Sequence, residues 1–553
     1  MESQKVSATH LMVSLLGSEK KEIGIILTYG LGVGILSLAV PVGVQTLVNT
    51  IGFGAINQPV LFLVFAVFLG LAAAGFLRGI QVLMVELLQK RFFTVVALEL
   101  AYRIPRVKIE TRSQQKFPEL VNRFFDVLTV QKSGATLLLE GFALALQIIL
   151  GLLLLAFYHW FLLAFAILLV IGVSIILFVL GRGAVDTAIE ESVQKYRVAA
   201  WLEELAARPL LFRSADAREL ALQRADEVVG AYLNARAEHF RILLRQVIGS
   251  LTLQAIASSG LLGIGAWLVV RNQLTLGQLV AAEIVVTTAL GSLAKFQKHL
   301  EAFYDLVAAL DKLEGLMDLP LEREVEERLP VTSGPVGIEL RSVGFEYEEG
   351  EPFLSEVSFK VDPGNRVAIL GSNASGKSTL VDLIYGIKEP SRGTLVLDGR
   401  DYRDISPETL RDQITLIRGV ELLPDSIFEN VRAGRQHLNT DDVRIALEQA
   451  GILEEVQALE EGMQTQLGSD GSPLSVTQAR ALVLARAIVG KPRLLLVDES
   501  LDELDEQSRE AALRVLMDDD APWTLILSTN DNELAKRFER TVSLEQLKSR
   551  RSA

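Results

Sequence analysis

Gly371 to Thr379 reads GSNASGKST. Gly371, Gly376, Lys377 and Ser378 fit the phosphate-loop pattern G-x-x-x-x-G-K-[ST]. Arg366 to Leu370 (RVAIL) predicts a short buried strand entering the loop, and GKSTLVDLIYG from Gly376 predicts the helix leaving it. In that arrangement backbone N–H groups along Gly371, Ser372, Asn373, Ala374, Ser375 and Gly376, and at Lys377, Ser378 and Thr379 of the helix N-terminus, face a β-phosphate. Lys377 adds a point charge on the β- and γ-phosphates, and the Ser378 hydroxyl is a ligand for Mg²⁺. The stretch predicts an α/β domain of the P-loop NTPase kind that binds a nucleotide. The rest of the chain must say what the nucleotide does.

A chain of 553 residues is too long for one core, so two or more domains are expected. The formal net charge of -14 argues against nucleic acid as the main partner. With no cysteine, disulfides, thiolate metal sites and cysteine nucleophiles are excluded. Met1 to Lys21 lacks the apolar core and cleavage site of a signal peptide, so the first apolar segment is expected to stay in the mature protein.

Residues 23–77 contain no Asp, Glu, Lys or Arg, room for two membrane helices of about 20 residues with a turn near Ile51 to Gln58. A second uncharged run covers residues 141–181, with a turn near Tyr158, His159 and Trp160. Residues 246–270 form a fifth segment, and Leu276 to Leu293 a sixth, interrupted by Glu283. That carboxylate is expected to face the bundle interior, on one stripe with Thr287, or to lie near enough to the outer surface to reach headgroup water. Gln45, Gln147 and Gln254 are further polar candidates for a transport pathway.

Lys and Arg are concentrated between these segments, in residues 83–140 and 182–245. Positive charge stays inside, so both long loops, both termini and the phosphate loop are predicted to be cytoplasmic. The two loops read as mostly helical, with apolar residues at three- and four-residue spacing in WLEELAARPLLF (Trp201 to Phe212). His10 to Leu16 is a candidate for lying along the inner membrane surface. The expected division is a membrane domain over 1–317, a proline- and charge-rich linker over 318–336, a nucleotide domain over 337–545 and a basic tail over 546–553.

In the nucleotide half, Ile338 to Leu370 alternates in short runs and predicts an antiparallel sheet layer. Tyr347 within it is either an adenine-stacking ring or a sheet-packing residue. Arg493 to Glu499 (RLLLVDE) predicts a buried strand ending in two carboxylates. Asp498 is placed for Mg²⁺ and Glu499 to polarise an attacking water.

With these motifs in this order, the chain resembles an ABC exporter half-transporter: an α-helical transmembrane bundle of the type I ABC exporter fold followed by one ABC nucleotide-binding domain. LARAIVGKPRLLLVDE matches the family's run into the Walker B strand, and SLDELD resembles its D-loop, with Asp505. AYRIPRVKIE and PELVNRFFDVLTVQKSG are most similar to bacterial exporters related to type I secretion systems; no N-terminal peptidase domain is expected, hence no leader-peptide cleavage. The resemblance implies ATP and Mg²⁺ as cofactors, a dimer in the bacterial inner membrane, and coupling helices at Thr111 to Phe117 and Glu203 to Leu211. By the same analogy it implies a periplasmic adaptor protein.

Three positions depart from the family pattern. The signature LSGGQ is Leu474-Ser475-Val476-Thr477-Gln478 here, so both glycines are replaced by β-branched residues, while Ser475 and Gln478 keep the types that contact ATP. The switch histidine falls on Asn530, which cannot become cationic. The Q-loop glutamine aligns beside Arg418 across a one-residue gap. Three functions follow: an ATP-driven exporter, an ATP-binding regulator, sensor or gated channel with little hydrolysis, or the degenerate half of a heterodimeric exporter.

Overall fold

The computed structural model describes residues 20–52, 58–114, 117–325, 334–347 and 352–544. The segment His10 to Leu16, most of the proposed turn after Ile51, residues 326–333 of the expected linker and the basic tail lie outside the described residues. The chain separates into two compact units, Met1–Pro320 and Leu321–Ala553.

The first unit is helical. Its main helices are α1 (Lys20–Ser37), α2 (Ala39–Gly52), α3 (Gln58–Arg103), α4 (Asp126–Thr136), α5 (Phe142–Tyr158), α6 (Trp160–Ser174), α7 (Ala184–Ala207), α8 (Ala215–Val270) and α9 (Leu276–Met317). The break between α1 and α2 has a local cause. Pro41 has no N–H and its ring crowds the carbonyl of Ser37, so the helical ladder is interrupted there. At His159 the chain becomes extended, and the imidazole accepts a hydrogen bond from the Phe161 N–H at 3.2 Å, capping α6. Thr275 and Gln278 form a reciprocal capping box at the start of α9.

Among the described residues, four helical stretches are long and apolar enough to cross a membrane: Lys20–Thr50, Val60–Arg106, Trp160–Leu180 and Ala215–Val270. Ile148–Tyr158 and Leu276–Val286 are shorter apolar stretches. The 56 residues of α8 run for roughly 84 Å at ~1.5 Å per residue, far beyond a ~30 Å hydrocarbon layer. Leu155, Leu162, Leu261, Leu268 and Val286 pack between helices, whereas Phe62, Phe65, Phe68, Phe157 and Phe178 are each at least 61% exposed. An apolar surface of that size suits lipid rather than water. This is a membrane protein.

The stretch Glu203 to Leu211 is not one helix. α7 ends at Ala207, and Arg208 leaves helical geometry at φ -125° and ψ 58°. The cause is Pro209, which disfavours helical backbone in the residue before it. A single 3₁₀ turn follows at Leu211–Arg213. In the other expected coupling segment, Ile109–Gln114 is helical and residues 115–116 lie outside the described residues.

The second unit holds two sheets. Strands β1 (Ile338–Glu346), β2 (Pro352–Val361), β4 (Arg392–Leu397) and β5 (Arg400–Asp401) form an antiparallel sheet in the order β2-β1-β4-β5. Strands β3 (Arg366–Leu370), β6 (Ile414–Ile417), β7 (Leu494–Asp498), β8 (Thr524–Thr529) and β9 (Arg540–Ser543) form a second sheet in the order β6-β7-β8-β3-β9, paired in parallel. β7 and β8 are buried at every position, which is why they read as unbroken apolar runs. Arg493, just before β7, ties segments together: Nε donates to Gly334 O at 2.8 Å, Nη1 to Gln413 Oε1 at 2.7 Å and Nη2 to Asp398 Oδ2 at 3.1 Å. The chain just after Pro320 is strapped to this unit: Arg411 grips Glu322 with two bonds of 2.8 and 2.7 Å, and Arg323 donates to the Tyr402 and Ile405 carbonyls.

Candidate nucleotide site

Sheet register places the site. β8 lies between β3 and β7, with Ser528 opposite both Ile369 and Asp498. Two inter-strand spacings of ~4.8 Å therefore separate the end of β3, where the phosphate loop starts, from the carboxylate pair ending β7. Helix α10 (Lys377–Tyr385) leaves the loop. Gly376 has φ +104°, and a Cβ there would lie 2.8 Å from Leu354 Cδ2, so this turn needs glycine. Ser372, Asn373, Ala374 and Ser378 are exposed, leaving the loop's outer side open to a ligand.

Lys377 is buried, with its side chain 2% exposed. Its ammonium donates to the Gly371 and Ser372 carbonyls at 2.8 and 2.9 Å and pairs with Glu499 Oε1 at 2.9 Å. Glu499 adopts φ +52°, a left-handed backbone uncommon outside glycine. Its N–H donates to Ser528 O at 3.1 Å, which turns the chain out of the sheet and aims the carboxylate across to the loop.

Asp498 is 6% exposed and fully engaged. Oδ1 accepts from the Ser528 hydroxyl at 2.5 Å and from the Ser378 hydroxyl at 3.4 Å. Oδ2 accepts from Arg418 Nε at 2.7 Å. Arg418 continues to Asp382 Oδ1 at 2.7 Å and to the Ser378 carbonyl at 3.3 Å. Asp382 also pairs with Lys388 at 3.0 Å. Burial works against the Arg418 charge, but Asp498 and Asp382 outweigh it and hold the guanidinium above the usual arginine range. Ser378 and Asp498 are thus brought together as the sequence anticipates, but a guanidinium already neutralises the carboxylate. A divalent cation does not fit between them while Arg418 stays.

The Tyr347 ring is 56% exposed and stands edge-on to Phe345 and Phe353 with centroids 5.0 and 5.1 Å away. Its hydroxyl shares a hydrogen bond with Thr379 Oγ1 at 2.9 Å and accepts from Lys388 at 3.1 Å. It is both a packing residue and an exposed ring beside the phosphate helix. Asn530 Nδ2 lies 3.3 Å from Asn373 Oδ1 on the loop, and its N–H donates to Asp502.

Helix α11 (Val476–Val489) begins at the altered signature. Ser475 Oγ accepts from the Gln478 N–H at 3.3 Å, and Gln478 Oε1 accepts from the Ser475 N–H at 2.9 Å. Both side chains expected to reach ATP cap their own helix, and the Val476 side chain points outward, 67% exposed. Asp505 likewise caps a helix, accepting from the Ser508 N–H at 3.0 Å.

Asp382, Lys388 and Ser528 were not singled out from the sequence, and Asp502 lies inside the quoted SLDELD segment. Asp382 left a signal as well, four residues after Ser378 on one helix face. In the first unit Glu283 is half-buried with Oε2 enclosed, and Tyr158 donates to Gln45 Oε1 at 2.5 Å. The side chains of Gln147 and Thr287 lie outside the described residues.

Residues 354–502 match the family described as ABC transporter. The mycobactin import ATP-binding/permease protein of Mycolicibacterium thermoresistibile is 29% identical over 329 residues, 59% of this chain and 57% of that protein. An ATP-dependent lipid A-core flippase of Chromobacterium violaceum is 34% identical over 252 residues, 44% of this chain and 43% of that protein. The chain spans about half the length of the curated relatives it matches. The structure of a bacterial Atm1-family ABC exporter with ATP bound superposes with a TM-score of 0.82 at 19% identity, covering 97% of this chain and 99% of that one. Residues 354–502 therefore carry an ABC transporter domain, and the chain as a whole shares the fold of that exporter structure.

Proposed function

We propose that this chain, an ABC domain joined to an exporter-fold membrane unit, drives export of a substrate across the bacterial inner membrane by hydrolysing ATP as a dimer. The observation that carries the reading is the pairing of a buried phosphate-loop lysine with a carboxylate at the end of the β7 strand, Lys377 with Glu499 at 2.9 Å. On arrival of ATP, Lys377 exchanges its carboxylate partner for phosphate oxygens. Glu499 is then released to accept a hydrogen bond from the attacking water. ATP prefers the closed arrangement of two nucleotide domains and shifts the population towards it; hydrolysis resets the cycle. Six crossings, with termini and nucleotide domain cytoplasmic, deliver that cycle to the side where ATP is.

The names of the relatives refer to mycobactin, fatty acid and lipid A-core. They leave this chain's substrate class open, and a periplasmic adaptor remains a proposal from the type I secretion-like membrane half. Mg²⁺, which the resemblance implies, has Ser378 and Asp498 as ligands only if Arg418 withdraws. A second reading is an ATP-binding regulator or gated channel with little hydrolysis. It is favoured by Ser475 and Gln478 being committed to their own helix and by Asn530 in place of histidine. A heterodimer whose partner supplies an intact signature is the third.

Steady-state ATP hydrolysis by the purified protein in liposomes, with substrate flux and oligomeric state measured on the same sample, separates these readings. Turnover that depends on Glu499 and accompanies flux supports the exporter. ATP binding without turnover supports the regulator, and turnover gained only on adding a second half-transporter supports the heterodimer.

A further inference from the structure

Arg418 follows directly on β6, whose Ile417 pairs with Val497 of β7, so the chain sets this arginine beside Asp498. Its three contacts are Asp498 Oδ2 and Asp382 Oδ1, each at 2.7 Å, and the Ser378 carbonyl at 3.3 Å. All three surround the place where a divalent ion would join Ser378 to Asp498. Asp382 is balanced by Lys388 as well, and the other oxygen of Asp498 is held by Ser528. The cluster of two carboxylates, one guanidinium and one ammonium is therefore neutral without a metal.

A guanidinium keeps its charge at any working pH, so no proton loss makes room for a dication, which would meet like charge at close range. The same group is planar and well matched to phosphate oxygens. The Arg418 side chain is 37% exposed, so it is open to a ligand seated on the loop.

We infer that Arg418 takes the place of a metal at this nucleotide site: the chain binds ATP without a divalent metal, with guanidinium N–H groups meeting the phosphate oxygens. The inference rests on the ATP-binding reading above and adds the form in which the nucleotide is taken up, metal-free nucleoside triphosphate.

The test is ATP affinity of the full-length protein in detergent, measured with MgCl₂ and with EDTA. Wild type is expected to bind ATP equally within about threefold in the two conditions. Arg418→Gln should bind about tenfold or more weakly in EDTA and recover with MgCl₂, and Arg418→Lys should keep most of the EDTA affinity. With MnCl₂ replacing MgCl₂, electron paramagnetic resonance of the ATP-loaded protein should show protein-bound Mn²⁺ in Arg418→Gln and not in wild type. A wild-type loss of about tenfold or more in EDTA overturns the inference and leaves ATP binding standing. So does Arg418→Gln binding as tightly as wild type in EDTA. No ATP binding by wild type in either condition overturns both readings together.

Discussion

Lys377 Nζ makes its three contacts with Glu499 Oε1, Gly371 O and Ser372 O, all between 2.8 and 2.9 Å. An ammonium has three protons, so every donor is engaged. ATP must therefore replace at least one of these partners, and the one that also carries charge is Glu499.

Lys377→Ala removes the charge that phosphate would meet. A hydrogen bond to a charged group contributes ~1.5–3 kcal/mol, so ATP affinity should fall by roughly ten- to a hundredfold. Equilibrium binding of ATP to the full-length protein measures this; unchanged affinity would show that the loop lysine does not touch the nucleotide.

Glu499→Gln keeps the shape of the site and removes the carboxylate proposed to polarise water. ATP binding should be retained, or tighten slightly because Lys377 loses its anionic partner, while turnover disappears. Equal turnover in this variant and wild type would sink the assignment of Glu499.

Turnover by the homodimer should be slow. Loss of one preorganised donor to a developing oxyanion costs ~10²–10³ in rate, and the exposed Val476, with Thr477 and Asn530, alters several groups. The combined change Val476→Gly, Thr477→Gly and Asn530→His is expected to raise steady-state hydrolysis. A brisk wild-type rate that this restoration leaves unmoved would count against the reading.

Glu283 sits in α9 between buried neighbours Ala282 and Val285. An acidic side chain near a membrane-helix centre costs ~2.5–3.5 kcal/mol on insertion scales, which favours its use in a wet interior. Glu283→Gln should leave expression and basal hydrolysis near normal and reduce substrate flux. Transport at the wild-type level by Glu283→Leu would mark the position as a tolerated carboxylate within reach of headgroup water.

The phosphate loop and its two flanking strands were legible because each is a local pattern: a glycine-lysine motif, or a run of apolar residues buried on both faces. RVAIL and LLLVD became β3 and β7 within a residue of where the patterns place them. The partners of Arg418 were not legible. They lie 36 and 80 positions away and meet it only through sheet order and the lean of α10. Ser475 and Gln478 carry the opposite lesson. Their S-x-x-Q spacing is a helix-start signal in its own right, and both side chains cap the helix they begin. The stop at Pro209 is likewise visible in the sequence, since a proline inside WLEELAARPLLF breaks its apolar helical spacing.

The three side-chain bonds of Arg493 reach partners 159, 80 and 95 positions distant along the chain. Contacts closing loops that long form only after the entropy of bringing distant segments together has been overcome. If these contacts form after the folding barrier, Arg493 sets how long the folded domain lasts more than how quickly it forms, which folding and unfolding rates of an Arg493→Met variant would check. Its removal would leave refolding nearly as fast as before and make the native state escape sooner.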